Sequence, residues 1–154
     1  MKQRFLPIGL KVAGEQCLVV GGGEIGTRKA ENLLRAGARV KVVAPAVTAA
    51  LVELAEREQV AWLEETFRNE HLEGVFLAVA ATDDREENTE ITRRARESGV
   101  LICDASSSSD SQVIFGALHE DDGVTVAVFT DGRDPGQARS LRDRISGFLS
   151  GGDS

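Results

Sequence analysis

Residues 17–43 read CLVVGGGEIGTRKAENLLRAGARVKVV, and this stretch decides the fold. The apolar run 17–20 is short, β-branched at its end and followed directly by glycine, which is typical of a buried parallel strand. A helical pattern comes next, with Ala30, Leu33 and Leu34 on one face, and Gly37 stands just past its end. Residues 39–43 are a second strand. The stretch therefore predicts a strand, a helix and a second strand around a glycine loop.

The three glycines of this loop are Gly21, Gly23 and Gly26, the GxGxxG spacing of dinucleotide-binding folds. The first permits a tight turn, the second lets the backbone approach a pyrophosphate, and the third lets the helix pack closely on the strand. The spacing alone is weak evidence, but here a strand precedes it and a helix and a strand follow it. We therefore predict that this loop binds a dinucleotide rather than forming a purely structural turn.

One part of the usual dinucleotide site is missing. Such folds commonly carry Asp or Glu about twenty residues beyond the glycines to bind the ribose 2′-hydroxyl. The second strand instead runs into Ala44, Pro45 and Ala46, whose backbone is then expected to contact the adenosine half. The choice between NAD and NADP stays open, since Arg39 or Lys41 would favour a 2′-phosphate unless both are solvated charges along the strand.

Strands and helices continue to alternate downstream. Residues 60–63, 74–81 and 100–103 are predicted strands, and 74–81, the most apolar, is expected to be central in the sheet. Thr48 is positioned to cap one helix, and Asn88, Ile91 and Ala95 share a face of another. The predicted fold class is α/β, a Rossmann-like doubly wound parallel sheet.

After residue 112 the pattern changes. Residues 113–118 and 124–129 read as the strands of a β-hairpin joined by 120–123, and Asp134 and Pro135 begin a C-terminal helix. The apolar stripe of that helix comprises Ala138, Leu141, Ile145, Phe148 and Leu149. We expect one domain over 1–154, with a nucleotide-binding core at 1–112 and a hairpin plus helix at 113–150 that is a candidate dimerisation element.

Composition narrows the function classes. A chain of 154 residues with 42% hydrophobic content builds one good core, and the net charge of −7 argues against nucleic acid as a partner. No run of eighteen apolar residues occurs and the first seven residues are short for a signal peptide, so we expect a cytoplasmic protein away from membranes. Cys17 and Cys103 fall in predicted strands as reduced core thiols. His71 and His119 are isolated, which predicts no preformed metal site.

The residues resemble a known family over nearly the whole chain. Arg28 and Lys29 follow the glycine loop directly, Ala44 and Pro45 follow the second strand, and AATDD occupies residues 80–84. A final pattern, GxxPxxARxxR, covers 132–142. This combination resembles the precorrin-2 dehydrogenase and sirohydrochlorin ferrochelatase family of siroheme synthesis, in which the ribose carboxylate is also usually absent.

The resemblance implies an enzyme that oxidises the tetrapyrrole precorrin-2 to sirohydrochlorin and passes a hydride to NAD, NADP not being excluded. By position, the residues implied to bind the cofactor are Gly21, Gly23, Glu24, Ile25, Gly26, Pro45, Ala46 and Thr82. Because precorrin-2 carries eight carboxylates, an acidic protein needs local basic groups to bind it. The candidates are Arg28, Lys29, Arg139 and Arg142, with Arg133 nearby; the alternative is that they are solvated helix charges.

Two features depart from the family pattern. The Asp that family members place after the fifth strand, the proposed acid-base or metal-chelating group, aligns with Ser106. Asp104 is our candidate for the catalytic role if the loop is re-registered, since two residues along an extended segment shift a side chain by roughly 6–7 Å; otherwise it caps the serine loop. Family members also carry a helical region beyond the last helix, so a homodimer is expected to complete the tetrapyrrole cleft.

Three functions stay open at this point. The first is the NAD-dependent precorrin-2 dehydrogenase. The second is a non-catalytic NAD(P)-binding subunit or regulator of a tetrapyrrole or other assembly, which the Ser106 departure favours. The third is a ferrochelatase, for which His119, Asp104 and Asp110 are the local metal-binding groups.

Overall fold

The computed structural model describes residues 4–151. These residues divide into two compact units, one spanning Gly9–Val113 and one formed by the described residues on either side of it. The first contains the predicted nucleotide-binding core from Gly9 onward, and the second contains residues 4–8, the hairpin and the final helix. The predicted grouping of both into one domain stays a prediction.

The Gly9–Val113 unit is a five-stranded parallel sheet with helices between the strands. Its elements are β1 (Gln16–Val20), α1 (Glu24–Arg35), β2 (Arg39–Val43), α2 (Ala49–Glu56), β3 (Val60–Leu63), a 3₁₀ turn (Asn69–Leu72), β4 (Leu77–Ala80), α3 (Arg85–Glu97) and β5 (Leu101–Asp104). The strand order is β3-β2-β1-β4-β5. The predicted Rossmann-like fold is confirmed.

The strand order decides where a ligand can bind. The chain moves outward from β1 to β3 and then returns to the other side of β1 to form β4. In open α/β sheets, ligands bind at the carboxyl ends of the strands where the order reverses in this way. That point lies between β1 and β4, directly above the glycine loop that follows Val20.

The strands with the most apolar sequences are the most buried in the sheet. Every residue of β4 is buried, as is β1 from Cys17 onward, because helices cover both faces of a parallel sheet. The expectation that the most apolar run is the central strand was wrong in detail: β1 occupies the middle and β4 lies beside it. β4 is also shorter than the predicted 74–81: it runs from Leu77 to Ala80, and Gly74 lies ahead of it with a φ of +69°.

Local signals for the helix ends were read correctly. The Thr48 side chain accepts a hydrogen bond from the backbone N–H of Leu51, and the Asp134 side chain accepts one from Gln137. Gly37 follows α1 with a φ of +82°, the left-handed conformation that glycine adopts without steric cost. Thr48 and Asp134 therefore begin their helices at the predicted positions, and Gly37 follows the end of α1 as predicted.

The second unit contains β6 (Ala117–Asp121), β7 (Val124–Val128) and α4 (Pro135–Ser150). β6 begins four residues later than predicted and continues to Asp121, so the turn is only Asp122 and Gly123. Both turn residues have positive φ, as a two-residue hairpin turn requires. The acidic residues Glu120 and Asp121, predicted as part of the connection, are paired strand residues.

The apolar stripe of α4 is buried only at its start. Ala138 is buried, whereas Ile145, Leu149 and above all Phe148, at 81% exposure, face outward. Within the same unit, the Asp131 carboxylate accepts hydrogen bonds from the backbone N–H groups of Arg4 and Phe5. This contact fastens the N-terminal segment to the loop before α4.

Candidate functional site

A crevice of about 280 Å³ lies at the carboxyl ends of the parallel strands. It receives residues from the ends of β1, β2 and β4 and from the loop after β3, as the strand order predicts. Its lining comprises Val20, Gly21, Gly22, Gly23, Val43, Ala44, Pro45, Glu65, Thr66, Phe67, Ala81, Thr82, Asp83, Asp84 and Glu87. Of the predicted cofactor residues, Gly21, Gly23, Pro45 and Thr82 therefore meet at one site.

Two glycines of the loop are required by close backbone packing. Gly21 has a φ of +119°, and a Cβ there would lie 2.1 Å from the carbonyl oxygen of Ala81. A Cβ at Gly26 would lie 2.3 Å from the carbonyl oxygen of Gly21. Both distances are far below van der Waals contact, so a side chain at either position would displace backbone. These are the turn and helix-packing roles that the spacing predicts.

Gly23 differs from its neighbours because the space above it is open. A Cβ at this position would meet nothing within 4 Å. Gly23 is also the residue before α1, and no side chain caps the helix there. The first backbone N–H groups of a helix lack intrahelical acceptors and carry the positive end of its dipole, which favours an anion such as a diphosphate. The loop therefore fits a dinucleotide without a basic side chain.

A pair of threonines holds this loop in place; the sequence identified Thr48 only as a helix cap and did not single out Thr27. The Thr27 hydroxyl donates to the carbonyl oxygen of Gly23 at 2.8 Å, and the Thr48 hydroxyl lies 2.7 Å from that of Thr27. The backbone N–H of Thr48 donates to the carbonyl of Gly22. The start of α2 is thus tied to the start of α1, and the glycine loop is held between them.

In the segment predicted to bind adenosine, most backbone groups already contact other parts of the fold. The carbonyl of Ala44 accepts a hydrogen bond from Trp62 Nε1 at 3.0 Å, and its N–H donates to Leu63. The carbonyl of Ala46 lies against Gly22, where a Cβ would approach it to 2.2 Å. Pro45 lines the crevice and Ala46 does not. The backbone after β2 is thus largely used to join β3 and the glycine loop.

Several lining residues were not identified from the sequence. Glu65, Thr66 and Phe67 come from the loop after β3, and Glu87 comes from the first turn of α3. The signal that could have found the loop residues is their position directly after a predicted parallel strand, since all such strand ends meet at one edge. Glu24 and Ile25, predicted to bind the pyrophosphate, begin α1 with their side chains exposed.

The Thr82 end of the crevice is organised by Asn88, which is only 1% exposed. Its side-chain oxygen accepts from the backbone N–H of Thr82 at 2.9 Å and lies 2.8 Å from the Thr82 hydroxyl. Its amide nitrogen donates to the Thr82 carbonyl and to Ser106 Oγ. One buried amide on α3 therefore joins the loops that follow β4 and β5.

Asp104 ends β5 and is buried at 4% exposure. Its Oδ1 accepts hydrogen bonds from the backbone N–H of Ser106 at 2.8 Å and from the Ser106 hydroxyl at 2.6 Å. Among the described residues Oδ2 has no hydrogen-bond partner. The carboxylate thus lies against the residue that aligns with the family Asp.

The basic residues that were predicted to bind the substrate carboxylates differ in burial and in their contacts. Arg28 is exposed on α1, whereas burial lowers the pKa of Lys29 below its usual range, with the neighbouring Arg28 charge adding to the effect. Arg139 is exposed on α4, and Arg142 contacts Asp143 and the carbonyl of Leu118. Arg28 and Lys29 belong to the Gly9–Val113 unit, whereas Arg139 and Arg142 belong to the other unit. The Asp143 carboxylate partly neutralises the charge of Arg142.

Within residues 4–151 no three His, Cys, Asp or Glu side chains gather as metal ligands, so His119, Asp104 and Asp110 form no cluster. The same residues contain no helix whose length and apolar character would let it cross a membrane.

Comparison with known proteins agrees with this geometry. Residues 8–117 match a family model described as putative NAD(P)-binding. The siroheme synthase of Chromobacterium violaceum is 40% identical over 148 residues, covering 96% of this chain and 32% of that protein. The siroheme synthase of Methylococcus capsulatus is 41% identical over 141 residues, which cover 92% of this chain and 30% of that protein. The chain thus spans about a third of the curated relatives it matches.

A solved structure described as SirC, precorrin-2 dehydrogenase, is similar over most of its length. It superposes with a TM-score of 0.80 at 30% identity, covering 94% of this chain and 71% of that chain. The parallel sheet, the hairpin and the C-terminal helix are shared. The chain therefore belongs to the NAD(P)-binding family of siroheme synthases and precorrin-2 dehydrogenases.

Proposed function

We propose that the chain is a dehydrogenase that oxidises precorrin-2 to sirohydrochlorin with NAD⁺ as hydride acceptor. The observation that carries the proposal is the open space above Gly23, at the uncapped start of α1 and at the switch point of the sheet. A diphosphate placed there directs one half of the dinucleotide toward Pro45 and the other toward Thr82. The similarity to a precorrin-2 dehydrogenase supports the choice of substrate.

The reaction balance defines what the protein must supply. Precorrin-2 loses two electrons and two protons; one proton leaves with the electrons as hydride to the bound nicotinamide, and the other must be accepted by a base. Asp104 is the proposed base, because its Oδ2 is buried and has no partner among the described residues, while Ser106 fixes the opposite oxygen. Asn88 holds Thr82 and Ser106 in fixed relation to each other.

The proposed substrate contacts are Arg28, Lys29, Arg139 and Arg142. Lys29 follows the glycine loop on α1, and burial lowers the pKa of its ammonium group below the usual range. The arginines stay charged at any working pH. We further propose that the protein acts in the cytoplasm as a homodimer, in which the exposed Phe148 region of α4 is covered by the second copy.

An anaerobic assay with precorrin-2 tests the proposal. NADH formation is followed with NAD⁺ and with NADP⁺, with and without ferrous ion. We expect NADH and sirohydrochlorin in equal amounts without iron, and we expect Asp104→Asn to lower kcat by about 100-fold or more while NAD⁺ still binds. Nucleotide binding without turnover would instead identify a non-catalytic NAD(P)-binding subunit. Iron insertion without NADH formation would identify a ferrochelatase.

A further inference from the structure

A carboxylate does line the nucleotide crevice near Pro45, although β2 supplies none. Glu65 comes from the loop after β3, the strand that pairs with β2, and it lines the same crevice as Ala44 and Pro45. Trp62 and Leu63 of that strand hydrogen-bond the backbone of Ala44. The loop that carries Glu65 is therefore joined directly to the predicted adenosine-binding segment.

Glu65 is held in place by two neighbours. His71, which is buried, accepts a hydrogen bond at Nδ1 from the backbone N–H of Arg68 at 2.9 Å. That contact leaves the ring proton on Nε2, which donates to Glu65 Oε1 at 2.9 Å. The Arg68 guanidinium lies 2.8 Å from Glu65 Oε2. A carboxylate oxygen can accept more than one hydrogen bond, so both oxygens of Glu65 retain capacity toward the crevice.

The charge around Glu65 discriminates between ligands. The hydrogen bond from His71 holds the pKa of Glu65 below its ordinary range, so the side chain is a carboxylate at neutral pH. Asp83, Asp84 and Glu87 also line the crevice, and its described lining contains no Lys or Arg. Arg68 lies outside that lining and is shared between Glu65 and Glu70. A carboxylate at this position accepts a hydrogen bond from a ribose hydroxyl and repels a phosphate at the 2′-position.

We propose that Glu65 is the specificity-determining residue of the cofactor site, accepting a hydrogen bond from the adenosine ribose of NAD and excluding the 2′-phosphate of NADP. It would replace, from β3, the acid that dinucleotide folds usually place after β2. The inference rests on the proposed function in one respect, which is that the crevice binds a pyridine nucleotide. It requires no precorrin-2 chemistry.

The test measures the dissociation constants of NAD⁺, NADP⁺ and 2′-deoxy-NAD⁺ by calorimetry. We expect unaltered protein to bind NAD⁺ at least about tenfold more tightly than either other nucleotide, the size of one hydrogen bond to a charged group. Glu65→Gln is expected to reduce both differences by about tenfold. Glu64→Gln is the matched control, because Glu64 is the exposed neighbour outside the crevice lining, and it should leave them unchanged.

Three results would contradict the inference. The first is equal preference for NAD⁺ in Glu65→Gln and in unaltered protein; the second is tight binding of NADP⁺ by unaltered protein. The third, 2′-deoxy-NAD⁺ binding as well as NAD⁺, needs no variant and so does not depend on the folding of Glu65→Gln. Failure of the proposed function looks different: absence of turnover with normal nucleotide preference overturns the dehydrogenase alone, whereas binding of none of the nucleotides overturns both.

Discussion

Replacing Gly23 by alanine tests how the glycine loop binds its ligand. In the free protein the new Cβ meets nothing within 4 Å and the residue has a φ of −79°, which alanine adopts readily. The remaining cost is that alanine is a poorer residue than glycine before a helix, by up to about 1 kcal/mol. We expect Tm to fall by no more than about 2–4 °C.

The effect on nucleotide binding should be much larger. The open space above Gly23 is where a diphosphate must approach the backbone, so a methyl group there overpacks the complex and not the free protein. Overpacking typically costs about 1–3 kcal/mol, which weakens binding by about 5- to 150-fold. Titration of protein fluorescence with NADH, together with thermal melts, separates the two effects.

Two further glycines serve as controls. A Cβ at Gly26 would lie 2.3 Å from the Gly21 carbonyl oxygen, so Gly26→Ala should lower Tm even without nucleotide. Gly147 on α4 has open space around its Cβ position, so Gly147→Ala should raise stability by up to about 1 kcal/mol and leave NADH binding unchanged. If Gly23→Ala binds NADH as tightly as the unaltered protein, the diphosphate does not lie on this loop and the reasoning is wrong.

Three other predictions concern stability and reactivity. Asn88→Ala removes a buried amide that hydrogen-bonds two loops, so urea unfolding should show a loss of about 2–3 kcal/mol, whereas Thr92→Val, one turn along α3, removes a buried hydroxyl without a partner among the described residues and should cost nothing. Although desolvation opposes it, the backbone hydrogen bonds to Asp131 hold the pKa of that carboxyl below the ordinary aspartate value of 3.8. The stability gained over Asp131→Asn, which tolerates the same positive φ, should be full above that pH and disappear as pH falls through the folded value; a constant difference would contradict this. Burial raises the pKa of Cys17 to about 11 and Cys103 is also buried, so an aromatic disulfide reagent should label neither thiol before unfolding and both afterwards.

The spacing of apolar residues and of glycines along the sequence was enough to predict the parallel sheet. The alternation of short apolar runs with helical patterns identified the parallel strands, and Thr48 and Asp134 marked helix starts. The first hairpin strand was misplaced because residues 113–116 are as apolar as a strand. In the structure Val113 instead donates its N–H to the carbonyl of Ile102 in β5, the edge strand of the parallel sheet. Apolar content alone does not separate these two uses.

The parts of the site that the sequence did not reveal depend on long-range contacts. Asn88 was identified only as one residue of a helix face, because nothing local shows that its amide reaches Thr82 and Ser106. Glu65 was not identified because the usual rule places the ribose acid after β2, whereas here the strand order brings the end of β3 to the same crevice. Sequence spacing predicts the glycine loop well, since all its constraints are local.

The relation between Asp104 and Ser106 shows how a turn changes an estimate made from an extended chain. Two residues along a strand separate side chains by roughly 6–7 Å, which would leave Asp104 far from the position of the family Asp. β5 ends at Asp104, however, and the chain turns at once, so that the Ser106 hydroxyl lies 2.6 Å from Asp104 Oδ1. Ser111 fixes this turn by accepting from the Asp104 N–H. A carboxylate two residues earlier in the chain therefore adjoins the position of the family Asp, and no insertion in the loop is needed to bring it there.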